Sequence, residues 1–197
     1  PRSTLFPYTT LFRSEDILKT LQAHGVTLMV GVPRLFTLMR DGLLNRIRAN
    51  RVAFALLVMA RRIRSLAFSR RVFAKVHERF GGKLRFMCCG GAAIADDVVH
   101  DFRALGFEML TGYGMTETSP IISFTHPGRF RDGTAGQVIP VNELRIVDGE
   151  ITVRGANVMQ GYYRRPEDTA AVLRDGWLHT GDLGEVDADG YLTITGR

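Results

Sequence analysis

The sequence predicts an α/β fold: a layered body on a parallel sheet, then a small antiparallel, β-rich, barrel-like subdomain, incomplete at both ends. Three observations carry that prediction. Apolar runs and helical patterns follow one another from Thr27 to Gly114 as strand, helix, strand, the succession that builds a parallel sheet with helical crossovers. From about Gly133 the chain changes to short alternating segments punctuated by Gly and Pro, the mark of antiparallel strands joined by turns. Hydrophobic residues fill 45% of 197 positions and the mean hydropathy is +0.00, which supports a core and excludes a disordered composition.

The elements follow in order. Residues 1–14 (PRSTLFPYTTLFRS) have no clean periodicity, resemble a sequencing-adapter read-through, and are expected to be foreign to the protein. Clear pattern begins near Glu15. Ile17, Leu18 and Leu21 share a helical face, and Gly25 supplies a stop. Thr27–Val32 (TLMVGV) reads as a buried strand, and Pro33 suits the first turn of the next helix. Two or three helices are expected over Leu35–Phe80. Leu84–Cys89 (LRFMCC) is the next strand, followed by Gly90–Gly91 and a helix over Asp96–Leu105 with Asp96 as candidate cap. FEMLTGYG resumes the extended form. Past Gly133, ELRIV and EITVRG read as strands, a short helix is expected near Glu167–Leu173, and Asp189–Gly190 marks a hairpin. The natural division is therefore 15–133 and 134–197.

Charge is unevenly placed. Arg40–Lys83 holds twelve Arg or Lys against Asp41 and Glu78, while the whole chain carries only +6. A basic helical module thus sits on a mildly acidic body. The longest apolar run, Val52–Ala60, is about half the length a membrane crossing needs. Cys88 and Cys89 are neighbours, a geometry that disfavours a bond between them, and a reduced intracellular chain is the simpler reading.

Chemistry concentrates in Thr111–Pro120, TGYGMTETSP. Gly112 and Gly114 let the backbone approach a ligand closely. Tyr113 between them is placed to stack on a flat group. Thr116 and Thr118 offer hydroxyls, and Glu117 is a hard oxygen ligand suited to a metal held against phosphates. A strand-to-loop turn with an ordinary buried tyrosine is the plainer alternative. CCGGAA (Cys88–Ala93) adds a second glycine turn, where Gly91 and Ala92 leave room for a base. GWLHTGDLG (Gly176–Gly184) sets Asp182 where its carboxylate can accept hydrogen bonds from ribose hydroxyls, or simply form an Asx turn.

In combination YGMTE, GYYRRPEDT (Gly161–Thr169), GWLHTGD and the closing ITGR resemble successive motifs of the adenylate-forming synthetases, in matching order over Glu15–Arg197. The resemblance implies ATP-dependent formation of an acyl-adenylate and pyrophosphate, then transfer of the acyl group to a thiol, usually that of coenzyme A. It implies that Gly91, Ala92 and Ala93 border the adenine and that Tyr113, followed by Gly114, stacks on it. Thr116 would contact the α-phosphate region and Glu117 would hold Mg2+; these two are the candidate catalytic residues. Asp182 would bind the ribose hydroxyls, assisted by Arg197. Residues 15–133 then form a nucleotide- and acyl-binding portion, and 134–197 a β-rich subdomain of the same N-terminal domain. The phosphate-binding loop with its lysine is expected upstream and a lid with a catalytic lysine downstream, so the 197 residues by themselves are expected to be inactive.

The long helical stretch between GVPRLFTLMRDGLL and FGGKLRFMCCGGAAI resembles the long-chain acyl-CoA synthetase branch, which implies a fatty acid substrate with coenzyme A as acceptor. Aryl-acid ligases, acyl carrier protein ligases and a non-catalytic scaffold are the alternatives. The acyl tunnel is expected along Val30–Phe36 and the residues after Gly112. The basic module allows two readings: a peripheral contact of Arg40–Lys83 with anionic lipid at the inner membrane face, or a solvated face on a cytoplasmic enzyme. A nucleic-acid partner is not expected, because no reading motif accompanies the arginines. His179 is expected to make a local hydrogen bond rather than act as a base, Trp177 to anchor a core, and Asp187 and Asp189 to shape a hairpin turn rather than hold an ion.

Overall fold

The computed structural model describes residues 14–197. The expectation of a foreign segment over 1–14 falls on residues outside that range, apart from Ser14. Helix α1 (Ser14–His24) ends at Gly25, whose φ of +58° suits glycine. Strand β1 (Leu28–Gly31) follows, then α2 (Pro33–Arg48) with Pro33 at its first position.

Four helices fill the basic region instead of two or three. The reason is local capping. Asn50 accepts from the backbone N–H of Val52 and Ala53 to start α3 (Arg51–Ile63), and Arg64 closes it in the left-handed conformation at φ +54°. Ser65 caps α4 (Leu66–Val72), and a break at Phe73 separates it from α5 (Ala74–Arg79). Strand β2 (Phe86–Cys89) leads to α6 (Asp96–Ala104). Ala95, not Asp96, occupies the capping position there, so Asp96 and Asp97 act instead as first-turn carboxylates facing the positive end of the helix.

Strand β3 (Glu108–Tyr113) pairs in parallel with β2, and β2 with β1, which puts Met29, Met87 and Met109 in one buried row. β4 (Ser123–Phe124) and β5 (Gln137–Val138) extend this sheet antiparallel beyond β3. The core pairs the sheet with the helices; fully buried Phe36 of α2 meets Phe102 of α6 edge to face, with ring centres 6.0 Å apart. β1 departs from the buried strand expected. It is the sheet's edge, with Met29 buried but Val30 71% exposed. Val30 and Phe36, both assigned to one acyl-tunnel wall, consequently face different surroundings, since Phe36 belongs to the core.

The second sheet is antiparallel and runs β10–β9–β7–β6. β6 (Asn142–Val147) and β7 (Glu150–Gly155) form a hairpin; α7 (Pro166–Val172) and β8 (Leu173–Arg174) lead into β9 (Trp177–Val186). A turn over 187–191 returns the chain as β10 (Leu192–Gly196). Irregular register at Glu150/Thr152 and Ile194/Gly196 bends this sheet into a half-barrel. Trp177 is buried, its ring faced by the Arg145 and Arg154 guanidiniums at 4.2 and 4.7 Å. Asp187 and Asp189 both pair with Arg131 at their turn.

The sheets meet along a seam. Ala135 donates to the Leu192 carbonyl at 2.7 Å and Leu192 donates back to Gly136 at 2.9 Å. Asn142 Nδ2 reaches the carbonyls of Ile121 and Ile122 at 3.2 and 3.3 Å. This seam brings the end of β3 against β9. Among the described residues no helix is long and apolar enough to cross a membrane.

Candidate functional site

The carboxyl ends of parallel strands are where an open α/β sheet exposes backbone to a ligand. β2 ends there in the turn 90–95, with Gly91 at φ +86°, a conformation that side chains resist. Gly91, Ala92 and Ala93 form one wall of a cavity of about 420 Å³. Tyr113 and Gly114 from β3 form the next wall, and Asp182 of β9 with Arg197 closes the site from the second sheet. A Cβ at Gly114 would overlap the Pro120 carbonyl, so only glycine lets the chain turn back at this point.

The Tyr113 hydroxyl donates to Asp182 Oδ2 at 2.7 Å, and Arg197 Nε lies 3.4 Å from Asp182 Oδ1. Burial, followed by the bond to Asp182, pushes the Tyr113 pKa up, so the phenol stays a neutral donor at physiological pH. The Asp182 side chain is 13% exposed, a carboxylate turned inward rather than a solvated turn residue.

Behind Asp182 stands a support that the sequence did not announce. Glu150 accepts from the His179 ring at Nδ1 and from the Gly181 N–H, each at 2.8 Å. Thr180 Oγ1 donates to the Ile151 carbonyl at 2.7 Å and accepts from Asp182 N–H at 3.2 Å. The hydrogen bond from His179 holds the Glu150 carboxyl below its usual range against a smaller opposing effect of burial. His179 makes the local bond expected of it. Glu150 and Thr180 were missed; the only available signal was the Asp148–Gly149 hairpin turn that delivers Glu150 to this face.

Thr116 and Glu117 stand apart from the cavity wall. They lie on the 3-10 turn Thr116–Thr118, with Thr116 exposed and Glu117 half-buried. Glu117 Oε1 accepts from the Tyr162 hydroxyl at 2.7 Å, and its carbonyl accepts from Met159 N–H at 2.7 Å. Asn157 Nδ2 ties the same turn through the Thr118 carbonyl at 2.6 Å. The bond to Glu117 raises the Tyr162 pKa. The structure therefore brings Gly91, Ala92, Ala93, Tyr113, Gly114, Asp182 and Arg197 together, and places Thr116 and Glu117 on an adjoining turn. Tyr162 lies within the quoted GYYRRPEDT motif, where no role was assigned to it.

Among the described residues no group of three His, Cys, Asp or Glu could hold a metal by itself. Glu117, a single half-buried carboxylate, is the kind of oxygen ligand that would suit a Mg2+ carried on phosphates. Cys88 and Cys89 are buried and unbonded to each other, and burial pushes Cys89 to about 11, which leaves it an inert thiol.

A model of the family described as AMP-binding enzyme matches residues 2–163. The chain belongs to the AMP-binding enzyme family. This family is that of the adenylate-forming ligases. The chain is 42% identical over 137 residues to the long-chain-fatty-acid–CoA ligase FadD15 of Mycobacterium bovis, covering 69% of this chain and 23% of that protein. It is 33% identical over 217 residues to long chain acyl-CoA synthetase 7, peroxisomal, of Arabidopsis thaliana, covering 94% and 31%. Among solved structures it is similar to o-succinylbenzoate coenzyme A synthetase of Bacillus subtilis in complex with AMP, at 26% identity and a TM-score of 0.68, covering 94% of this chain and 34% of that one. The chain thus spans less than a third of the length of these two curated relatives.

Proposed function

We propose that this chain is the nucleotide-holding part of an ATP-dependent fatty acid–CoA ligase. One observation carries the proposal: the Tyr113 hydroxyl and the inward-facing Asp182 carboxylate meet at 2.7 Å in the same cavity as the Gly91–Ala93 turn. A flat base fits between the small-residue turn and the Tyr113 ring, and a ribose fits at the acidic end beside Arg197. The identity to a long-chain-fatty-acid–CoA ligase supports a fatty acid as the acyl donor. The likeness to an o-succinylbenzoate synthetase keeps aryl acids as the second reading, to be separated by a screen of acids of graded length.

In the first half-reaction a carboxylate oxygen bonds to the α-phosphorus as the bond to pyrophosphate breaks. In the second, coenzyme A sulfur bonds to the acyl carbon and AMP leaves. Two anionic groups must meet in the first step, so catalysis depends on alignment and on charge around the transferring phosphoryl. Tyr113 and Asp182 supply alignment by fixing base and ribose. Thr116, on the turn that follows Tyr113 and Gly114, is the hydroxyl assigned to the α-phosphate, and Glu117 beside it is the carboxylate available to a nucleotide-borne Mg2+. That ion supplies positive charge at the phosphates when bound.

Calorimetric titration with AMP tests the site. Asp182→Ala should weaken binding at least about tenfold, a loss of roughly 1.4 kcal/mol. Binding that neither Asp182→Ala nor Tyr113→Ala changes would overturn the assignment. These 197 residues, incubated with ATP, Mg2+ and a fatty acid, are expected to release no pyrophosphate above blank; robust release would show that they suffice for adenylation.

A further inference from the structure

Helix α6 walls more than one cavity. Asp96 and Val99 near its start face the nucleotide cavity, while His100 and Arg103 further along line a second cavity of about 350 Å³. Arg61 and Arg64 from the end of α3 enter that second cavity, with Asp132 opposite. Phe130 is a wall common to both cavities.

We propose that this second cavity binds the phosphate group of a phosphate-bearing ligand, at a place distinct from the nucleotide cavity. The strongest sign is Arg103. Its Nη1 is buried with no hydrogen-bond partner, and its guanidinium lies over the Phe130 ring at 4.0 Å from the centroid. Burial lowers its pKa, opposed by the charges of Glu108 and Asp132, yet among the described residues it has no ion pair of its own. The part of this guanidinium that lines the cavity is a charged donor group with no carboxylate on it, and an anionic oxygen in the cavity would supply the missing acceptor.

The surrounding charges agree. Arg61 is paired with Asp101 at 2.5 Å and Arg64 with Asp132 at 3.1 Å; His100 Nε2 stands 3.5 Å from the same Asp132. Three guanidiniums and an imidazole therefore surround a space whose own wall holds one carboxylate. Guanidinium forks match phosphate oxygens in shape and charge, which ammonium groups do not. Ala60 and Ala104 keep the wall clear of bulk, and the volume leaves room for the group that carries the phosphate.

Titration of the purified chain with inorganic phosphate at low ionic strength, against chloride at matched ionic strength, tests the assignment. Adenosine 3′,5′-bisphosphate serves as the nucleotide-borne form of the same chemistry. Saturable binding is expected, weakened at least tenfold in Arg103→Met and in Arg64→Gln; Arg64 is 70% exposed, so its variant keeps the fold. Tighter binding of the bisphosphate assigns the cavity to a nucleotide-borne phosphate, equal binding to a free anion, and both uphold the inference. No saturation, or saturation untouched by both substitutions, overturns it. If Arg197→Gln abolishes the binding instead, the anion sits in the nucleotide cavity and the inference falls, while the nucleotide assignment stands.

Discussion

The Tyr113 hydroxyl gives Asp182 a fixed orientation before any ligand arrives, because its donor is neutral and its acceptor is turned inward. Tyr113→Phe keeps the ring and removes only this bond. It should weaken AMP binding less than Asp182→Ala does, by a factor of a few, since the bond orients Asp182 and is not itself made to the ligand. Glu150 acts one step further back, through His179 and Gly181. If the proposed ligase activity is assayed, Glu150→Gln should raise the KM for ATP several-fold with little change in kcat, whereas a purely structural loss would lower the active fraction and leave KM alone. The same residue predicts a pH effect. Its folded carboxyl is more acidic than in the unfolded chain. That stabilisation is therefore in place above the ordinary glutamate pKa of about 4.3 and is lost as pH falls through the depressed value. Urea midpoints at pH 7, 5 and 3.5 should fall less steeply in acid for Glu150→Gln than for the parent. Tyr113, Asp182 and the Gly91–Ala93 turn were legible in the sequence because each needs a distinctive residue type beside glycine. Glu150 and Tyr162 were not, since their partners lie 29 and 45 residues away and depend on strand register.

At the scale of elements, the turn after β3 is held from both sides. Gly114 passes against the Pro120 carbonyl, and Asn157 grips the Thr118 and Ile121 carbonyls. Gly114→Ala should destabilise by about 1–3 kcal/mol through overpacking, read as a lowered denaturant midpoint with unchanged slope. The strands and α6 could be read from apolar runs and glycine punctuation. The exposed side of β1 could not, because a short apolar run looks the same at the centre of a sheet and at its edge. The basic helices divide similarly. Arg40, Arg61 and Arg64 form ion pairs with Asp41, Asp97, Asp101 and Asp132 and turn toward α6 and Asp132. On α3, however, Val52, Val58, Met59 and Ile63 are exposed beside Arg51 and Arg62. Apolar side chains next to exposed cations suit an anionic lipid surface. Sedimentation with anionic vesicles should exceed that with neutral ones and should drop in a Met59→Glu, Arg62→Glu variant; equal weak pelleting with both lipids would leave these helices as a solvated face.

Across the whole molecule, the parallel sheet buries its aromatic core against α2 and α6, while the antiparallel sheet is built on the long strand β9, which pairs with β7, β8 and β10. The change of character near Gly133 marked the passage to antiparallel pairing, although β5 beyond it still joins the first sheet; the carbonyl bonds between the two sheets carry no residue signature. Trp177 is the chain's only tryptophan, and it lies in the second sheet between two guanidiniums. Its emission is thus an optical tag for one half alone, with far-ultraviolet ellipticity reporting chiefly the helices of the other. Recording both signals through a single melt, with and without AMP, will reveal whether an occupied cleft makes two cooperative units behave as one.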